Sequence, residues 1–254
     1  MTQRFVLNGA AALLLCLPAF GADSVLVVDR GLPQINLNNS SGPVRSNVRW
    51  GWYDQGFVGD SFTIGAPGEQ WVIDSIRTWT VPGDANHEPT TLGDFYQDVR
   101  LYFGQGQGDL TPTTAGSLST GSDQSSNPNI RISEAAQSGS ALYDDFGTNL
   151  RIWQVDFTNL NLTVQGGTNY QFGVWGLGRT EPGTTDKTYP WFTHASNAPL
   201  SGAAEQGADG VMLLFDGGGR YQGTFNSQGS GWDKTADINV QVFAHKVSAT
   251  TASN

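Results

Sequence analysis

Three histidines, His87, His194 and His245, are the only imidazoles in this 254-residue chain, and they are well separated in sequence. There is no Gly-x-Ser-x-Gly nucleophile elbow; the nearest run, Gly229-Ser230-Gly231, lacks the spacing. His194 follows the aromatic segment Tyr189-Pro190-Trp191-Phe192-Thr193, which itself follows a polar loop. That makes it the histidine best placed to line a pocket. Elimination from a uronate needs a proton acceptor, a proton donor and a group that neutralises the carboxylate. Tyr189, His194 and Arg179 are the residues from which such a lyase site would be assembled. Glycoside hydrolysis instead needs two carboxylates about 5–10 Å apart. Asp144 and Asp145 are adjacent, and Asp94 and Asp98 would share a face of a strand. In a chain with 23 acids such coincidences are expected, and solvated turn carboxylates are the plain alternative.

Metal chemistry is narrower. No His-x-His or His-x-x-x-His pair supports a transition-metal site. Calcium takes oxygen ligands and needs no fixed motif. Asp216, Asp233 and Asp237, all in or beside turns, are the candidate ligands for a structural Ca²⁺, with turn capping as the alternative role. The aromatics offer a different chemistry. Sugar rings stack on flat aromatic faces while amides and carboxylates bond the hydroxyls. Trp50, Trp52 and Tyr53 cluster ahead of a glycine-containing turn, and Trp50 and Trp52 share a face if the segment is a strand. Trp191 and Trp232 lie near loops. These five form the candidate ligand-binding set, whereas Trp71, Trp79 and Trp153 fit core positions.

The elements that must position these groups are strands. After residue 22 helical periodicity is nearly absent, and alternating, aromatic-rich runs are separated by Gly, Asn, Asp, Ser and Pro. Strands are expected at 24–28, 48–53, 60–64, 70–81, 99–103, 150–161, 170–176, 191–193, 211–215 and 237–245. In the last, Ile238, Val240, Val242 and Ala244 point one way and Asn239, Gln241, Phe243 and His245 the other. The run 70–81 divides into Trp71, Ile73, Ser75, Arg77 and Trp79 on one face and Val72, Asp74, Ile76, Thr78 and Thr80 on the other. A short helix is expected only near Ile132–Gln137. The segments Gly104–Gly139 and Arg179–Lys187 are expected to be long loops. About ten short strands with turn signals between them give an all-β, antiparallel two-sheet β-sandwich of jelly-roll type. It spans residues 22–246 as one domain, followed by a frayed tail at 247–254.

Composition agrees. Charged residues are 14% of the chain, with 33 glycines and 11 prolines, which excludes coiled coils and long helical bundles. The net charge is -10, and only Lys187, Lys234 and Lys246 are lysines. With no basic stripe, nucleic acid and anionic membrane surfaces are not expected partners. Of the acids, 18 are Asp and five Glu, a bias toward turns and caps rather than helix interiors.

The N-terminus reads as an export signal. Arg4 supplies the positive region, Ala10–Leu17 the apolar stretch and Ala19-Phe20-Gly21 the cleavage site, so residues 1–21 are expected to be removed. The apolar run is too short for a membrane anchor. The single cysteine, Cys16, lies inside it, leaving the exported chain without disulfides or thiolate ligands. A cysteine-free exported chain points to a bacterial source and a secreted, extracellular or periplasmic location.

Three stretches carry a resemblance: Asp60-Ser-Phe-Thr-Ile64, Trp71-Val-Ile-Asp-Ser-Ile76 and Leu162-Thr-Val-Gln-Gly-Gly-Thr-Asn-Tyr170-Gln-Phe172. Together they resemble the jelly-roll modules of exported bacterial proteins, many of which end in an exosortase sorting tail. The likeness spans residues 55–245 in outline, and the terminal sorting helix is missing from this chain. It implies the fold and export and carries no catalytic residue. The expected function is therefore a binding or interaction module, most simply for an extracellular polysaccharide or surface glycan. The alternatives are a small carbohydrate-active enzyme, lyase or hydrolase, and a structural matrix component.

Overall fold

The structure, a computed structural model, describes residues 23–31, 48–50, 56–81, 91–135, 142–145, 148–185, 187–196, 210–226 and 237–248. The proposed signal, residues 1–21, and the tail from 249 lie outside them. In chain order the strands are β1 (Val25–Arg30), β2 (Val48–Trp50), β3 (Gly56–Thr63), β4 (Gln70–Thr80), β5 (Tyr96–Gln105) and β6 (Thr111–Ser117). Next come β7 (Ile130–Glu134), β8 (Leu142–Asp145), β9 (Thr148–Arg151), β10 (Trp153–Phe157), β11 (Leu162–Gln165) and β12 (Asn169–Gly178). The last are β13 (Thr193–Ser196), β14 (Val211–Asp216), β15 (Tyr221–Asn226), β16 (Asp237–Ile238) and β17 (Val240–Lys246).

These strands form an all-β, two-sheet antiparallel sandwich. A nine-stranded sheet is built on the order β1-β17-β4-β10-β7, and a six-stranded sheet on β15-β14-β3-β12-β5-β6. A separate hairpin joins β8 to β9. The chain crosses between sheets repeatedly, from β3 to β4 and from β4 to β5 among others, so apolar residues from both inner faces meet in one core. Val58, Phe62, Leu101, Phe172 and Met212 come from the six-stranded sheet, and Ile76, Trp153, Phe157, Val240 and Val242 from the nine-stranded one.

The expected alternation holds from Val240 to Ala244, where Val240, Val242 and Ala244 are buried, but at the start of the run Asp237 and Asn239 are buried along with Ile238. It fails along β4. Ile73 and Ile76, three residues apart, are both fully buried. The cause is a β-bulge: Phe243 pairs with Ser75 and Ala244 with Ile73, leaving Asp74 as the extra residue. The insertion flips the faces partway along the strand. The Asp74 carboxylate then accepts a hydrogen bond from His245 Nδ1 at 2.8 Å.

Three expectations need correction. The short helix expected at Ile132–Gln137 is strand in its described part: β7 runs antiparallel to β10, with Ile130 opposite Phe157 and Ile132 opposite Val155. Alternate isoleucines meeting alternate core residues make period two, not 3.6, the governing repeat. The long loop expected at Gly104–Gly139 contains β6 and β7. The first was hidden because β6 pairs, among the described strands, only with β5 and carries Thr, Ser and Gly on a largely exposed surface. Asp94 and Asp98 do not share a strand. Asp94 closes a short 3-10 turn at Leu92–Asp94, accepting hydrogen bonds from Thr91 N at 3.2 Å and Thr91 Oγ1 at 2.7 Å.

The sandwich interior also holds charge. Arg30 on β1 and Asp60 on β3 are each 1% exposed and pair at 3.1 Å across the two sheets. Arg30 Nη2 donates to the Ser61 carbonyl at 2.8 Å, and Asp60 Oδ2 accepts the Ile238 amide at 2.8 Å. Asn239 Nδ2 donates to the carbonyls of Arg30, at 2.7 Å, and Gly31. A polar bridge therefore ties the first strand, the last strands and the second sheet together.

Candidate functional site

The outer face of the six-stranded sheet carries a second apolar cluster, Phe57, Tyr102, Leu110, Leu213 and Phe215. Its geometry follows from two glycines. Leu213, Gly59, Gly173, Tyr102 and Pro112 form one row across five strands. The missing side chains at its centre leave a trough that neighbouring rings fill. A Cβ on Gly173 would lie 2.4 Å from the Phe57 ring, and one on Gly59 would lie 2.7 Å from Phe215. Phe57 in turn stacks on Tyr102 at 4.7 Å and on Phe215 at 5.3 Å. Gly173→Ala is therefore expected to cost about 1–3 kcal/mol by overpacking. Urea denaturation checks it, and an unchanged midpoint would contradict the close approach.

Beside this cluster the face becomes polar and opens. Trp175 on β12 is partly buried against the cluster and pairs with Arg100 on β5, which pairs with Ala115 on β6. The Arg100 guanidinium lies over the Trp175 ring, 5.3 Å from its centroid. Its Nε and Nη2 both donate to Asp98 Oδ2, at 3.1 and 2.5 Å. Asp98 Oδ1 accepts the Leu177 amide at 3.2 Å, beside the irregularity where β12 leaves its register with β5. Burial works against the charge on Arg100, but Asp98 and Tyr102 outweigh it and hold the guanidinium above its ordinary value. The pair is thus fixed from three sides. It borders an open recess of about 320 Å³ lined by Asp98, Arg100, Pro112, Ala115, Gly116, Ser117 and Ser126. The recess offers an acceptor, a fixed fork of donors, two hydroxyls and a small apolar floor.

Ser126 reaches this recess because the turn after β6 folds back on it. Ser117 N donates to Ser126 Oγ at 2.9 Å and Ser126 N to the Ser117 carbonyl at 2.8 Å. Two carboxylates anchor the same turn: Asp94 Oδ1 accepts Gly121 N at 2.8 Å, and Asp123 Oδ1 accepts Leu92 N at 2.6 Å. Burial pushes the Asp123 carboxyl up.

The residues singled out from sequence lie elsewhere. His194 is completely buried, and its Nδ1 bonds Asn239 Oδ1 at 2.7 Å. Because Asn239 Nδ2 faces two carbonyls, its Oδ1 is the acceptor, so His194 carries its proton on Nδ1. Burial pushes the imidazole down to about 3. Tyr189 is 5% exposed and packs edge-on against Phe95 at 5.0 Å. Arg179 spends Nε and Nη2 on the carbonyls of Gly93 and Leu118, both at 2.7 Å. The backbones of Arg179 and Tyr189 meet across a hairpin, but the structure gives each of the three side chains packing or anchoring work.

Of the aromatic set, Trp191 is 2% exposed and packs on Tyr96 at 4.7 Å, in the core. Trp50 lies on β2, opposite Thr193. Trp52, Tyr53 and Trp232 fall outside the described residues. Asp216 Oδ1 accepts the amides of Gly218 at 2.8 Å and Arg220 at 2.9 Å, which closes the turn between β14 and β15. Asp237 is 1% exposed, with Oδ2 accepting Gly210 N at 3.1 Å. Asp233 falls outside the described residues. Among the described residues no group of three or more His, Cys, Asp or Glu side chains is arranged to hold a metal ion.

Sequence reasoning did not single out Trp175 or Arg100, and it named Asp98 only as a hydrolase carboxylate. The available signal was alternation on β12: with Tyr170, Phe172 and Val174 pointing inward, Trp175 had to face outward, opposite a strand bearing Asp98 and Arg100.

The molecule belongs, by fold, to the all-β antiparallel two-sheet sandwiches. No family model, curated protein or solved structure matches the chain. Among the described residues no helix is long and apolar enough to cross a membrane.

Proposed function

We propose that the protein is an exported carbohydrate-binding module that holds a glycan against the outer face of its six-stranded sheet. One observation carries this reading: the recess beside Trp175, where the fixed Asp98–Arg100 pair meets Ser117, Ser126 and the apolar surfaces of Pro112 and Ala115. A sugar presents hydroxyls that both donate and accept, and C–H faces that prefer apolar surface. The recess supplies partners for each. It is also preorganised, since Trp175 and Asp98 hold Arg100 in place and so reduce the ordering that binding would otherwise cost. The recess holds one carboxylate, already ion-paired, whereas glycoside hydrolysis calls for two. That favours binding over cleavage.

Secretion to an extracellular or periplasmic location, a bacterial source and a jelly-roll kinship with exosortase-sorted modules remain part of this proposal. They rest on the N-terminal segment and the quoted motifs. A structural Ca²⁺ likewise stays a proposal, which melting before and after EDTA treatment with Ca²⁺ return would test.

The expected result is retardation of the protein by at least one polysaccharide in affinity electrophoresis. Arg100→Ala should weaken that retardation about tenfold or more, because a hydrogen bond to a charged group contributes about 1.5–3 kcal/mol. No retardation in any gel overturns the reading.

A further inference from the structure

We infer that the recess selects a neutral glycan and rejects polyuronates and sulfated chains; this rests on the carbohydrate-binding reading above. Arg100 is the only cation lining the recess among the described residues. Its charge is committed, because two of its nitrogens bind Asp98 Oδ2. An incoming carboxylate would meet not a free guanidinium but an ion pair whose negative partner lies equally close.

The surroundings add to this. The turn that brings Ser126 to the recess is pinned by the carboxylates of Asp94 and Asp123. Arg179, which follows β12 and reaches the start of this turn, is tied to the Gly93 and Leu118 carbonyls. Bringing a polyanion here means adding negative charge to a site with no spare positive charge, on a chain whose net charge is -10. A neutral hydroxylated chain meets no such opposition. The Asp98 carboxylate and the remaining Arg100 N–H groups still bond hydroxyls, as do Ser117 and Ser126. This arrangement reads against charge while it reads for hydroxyls.

The test is affinity electrophoresis of the full chain on two panels at 20 and 500 mM NaCl. The neutral panel is galactomannan, mixed-linkage β-glucan, arabinan and dextran. The anionic panel is alginate, polygalacturonate and chondroitin sulfate. The expected result is retardation by one or more neutral polymers at both salt levels and by no anionic polymer at either. Retardation only by anionic polymers overturns the charge inference and leaves the carbohydrate reading standing. Retardation by neither panel overturns both.

Asp98→Asn frees the Arg100 charge. It should gain polygalacturonate retardation at 20 mM NaCl that disappears at 500 mM, while neutral retardation falls. Ser117→Lys, on the edge strand directly opposite Asp98, keeps Arg100 and Asp98 but adds a second cation beside them, and should gain the same salt-sensitive retardation. Each variant is checked for wild-type circular dichroism first. If a folded variant of either kind gains nothing, local charge balance does not set the selectivity and the inference fails.

Discussion

Asp60→Ala is expected to destabilise the protein by about 3–5 kcal/mol, the cost of leaving one partner of a buried ion pair uncompensated. Arg30 is 1% exposed, so its charge cannot turn to solvent when the carboxylate is removed. The Ile238 amide loses its acceptor at the same time. The effect belongs to the unpaired charge more than to the pair itself, because the attraction in a buried pair is largely offset by the cost of desolvating both ions. A double variant separates the two. Arg30→Met with Asp60→Asn removes both charges and leaves an amide oxygen for Ile238 N. It should recover more than half of the loss. Urea unfolding at pH 7 measures all three proteins. A loss below about 1 kcal/mol for Asp60→Ala, the range of an exposed pair, would mean that the inter-sheet bridge does not hold the sandwich together.

Stability is also expected to fall steeply with acid, starting above the range in which carboxylates titrate. His194 has a folded value of about 3 and an ordinary value of 6.5. Between these limits the unfolded chain takes up a proton that the folded chain refuses. Its contribution is complete above pH 6.5 and is lost as pH falls toward 3. The slope approaches about 1.4 kcal/mol per pH unit for one proton. Carboxylates held low in the fold act in the same direction, as Glu69 does near 2 through its bond from Lys246, but their loss begins only below about pH 4.5. Within the window from 6.5 to 4.5 these lowered carboxylates do not contribute and the raised Asp123 carboxyl acts in the opposite sense, so a His194 variant is what assigns the slope. His194→Asn places an amide donor near the position of Nδ1 and cannot titrate. It should lower stability at pH 7 by about 1–2 kcal/mol for the lost volume, yet flatten the slope in that window. An unchanged slope would remove His194 as the cause.

The legible parts of the fold were those where one periodicity ran uninterrupted. Strand β17 shows it: its inward residues Val240, Val242 and Ala244 are small or branched and all buried, the bulges in its pairing lying on its neighbours β1 and β4. Strand β4 carries equally clear alternation, but the bulge at Asp74 is set by pairing with β17, and pairing is not written in the local pattern. Ile132 opened the helix expected at Ile132–Gln137, and only its partner Val155 on β10 settles the period. The candidate site was less legible still. Trp191 and His194 looked exposed because loops flank them in sequence, yet burial depends on which sheet lies above. Trp175 drew no reading from the sequence, and only the pairing of β12 with β5 puts Asp98 and Arg100 beside it.

The pairing of β1 with β17 joins nearly opposite ends of the chain; Asn239 and Arg30, which bond each other there, are 209 residues apart. Contacts of such separation are slow to form, because a long loop must close before they contribute. The nine-stranded sheet cannot be completed, nor the Arg30 charge enclosed, until the last strand has emerged. Folding is then gated by the arrival of the C-terminal strand, a kinetic delay that suits a chain proposed to cross a membrane unfolded before it assembles.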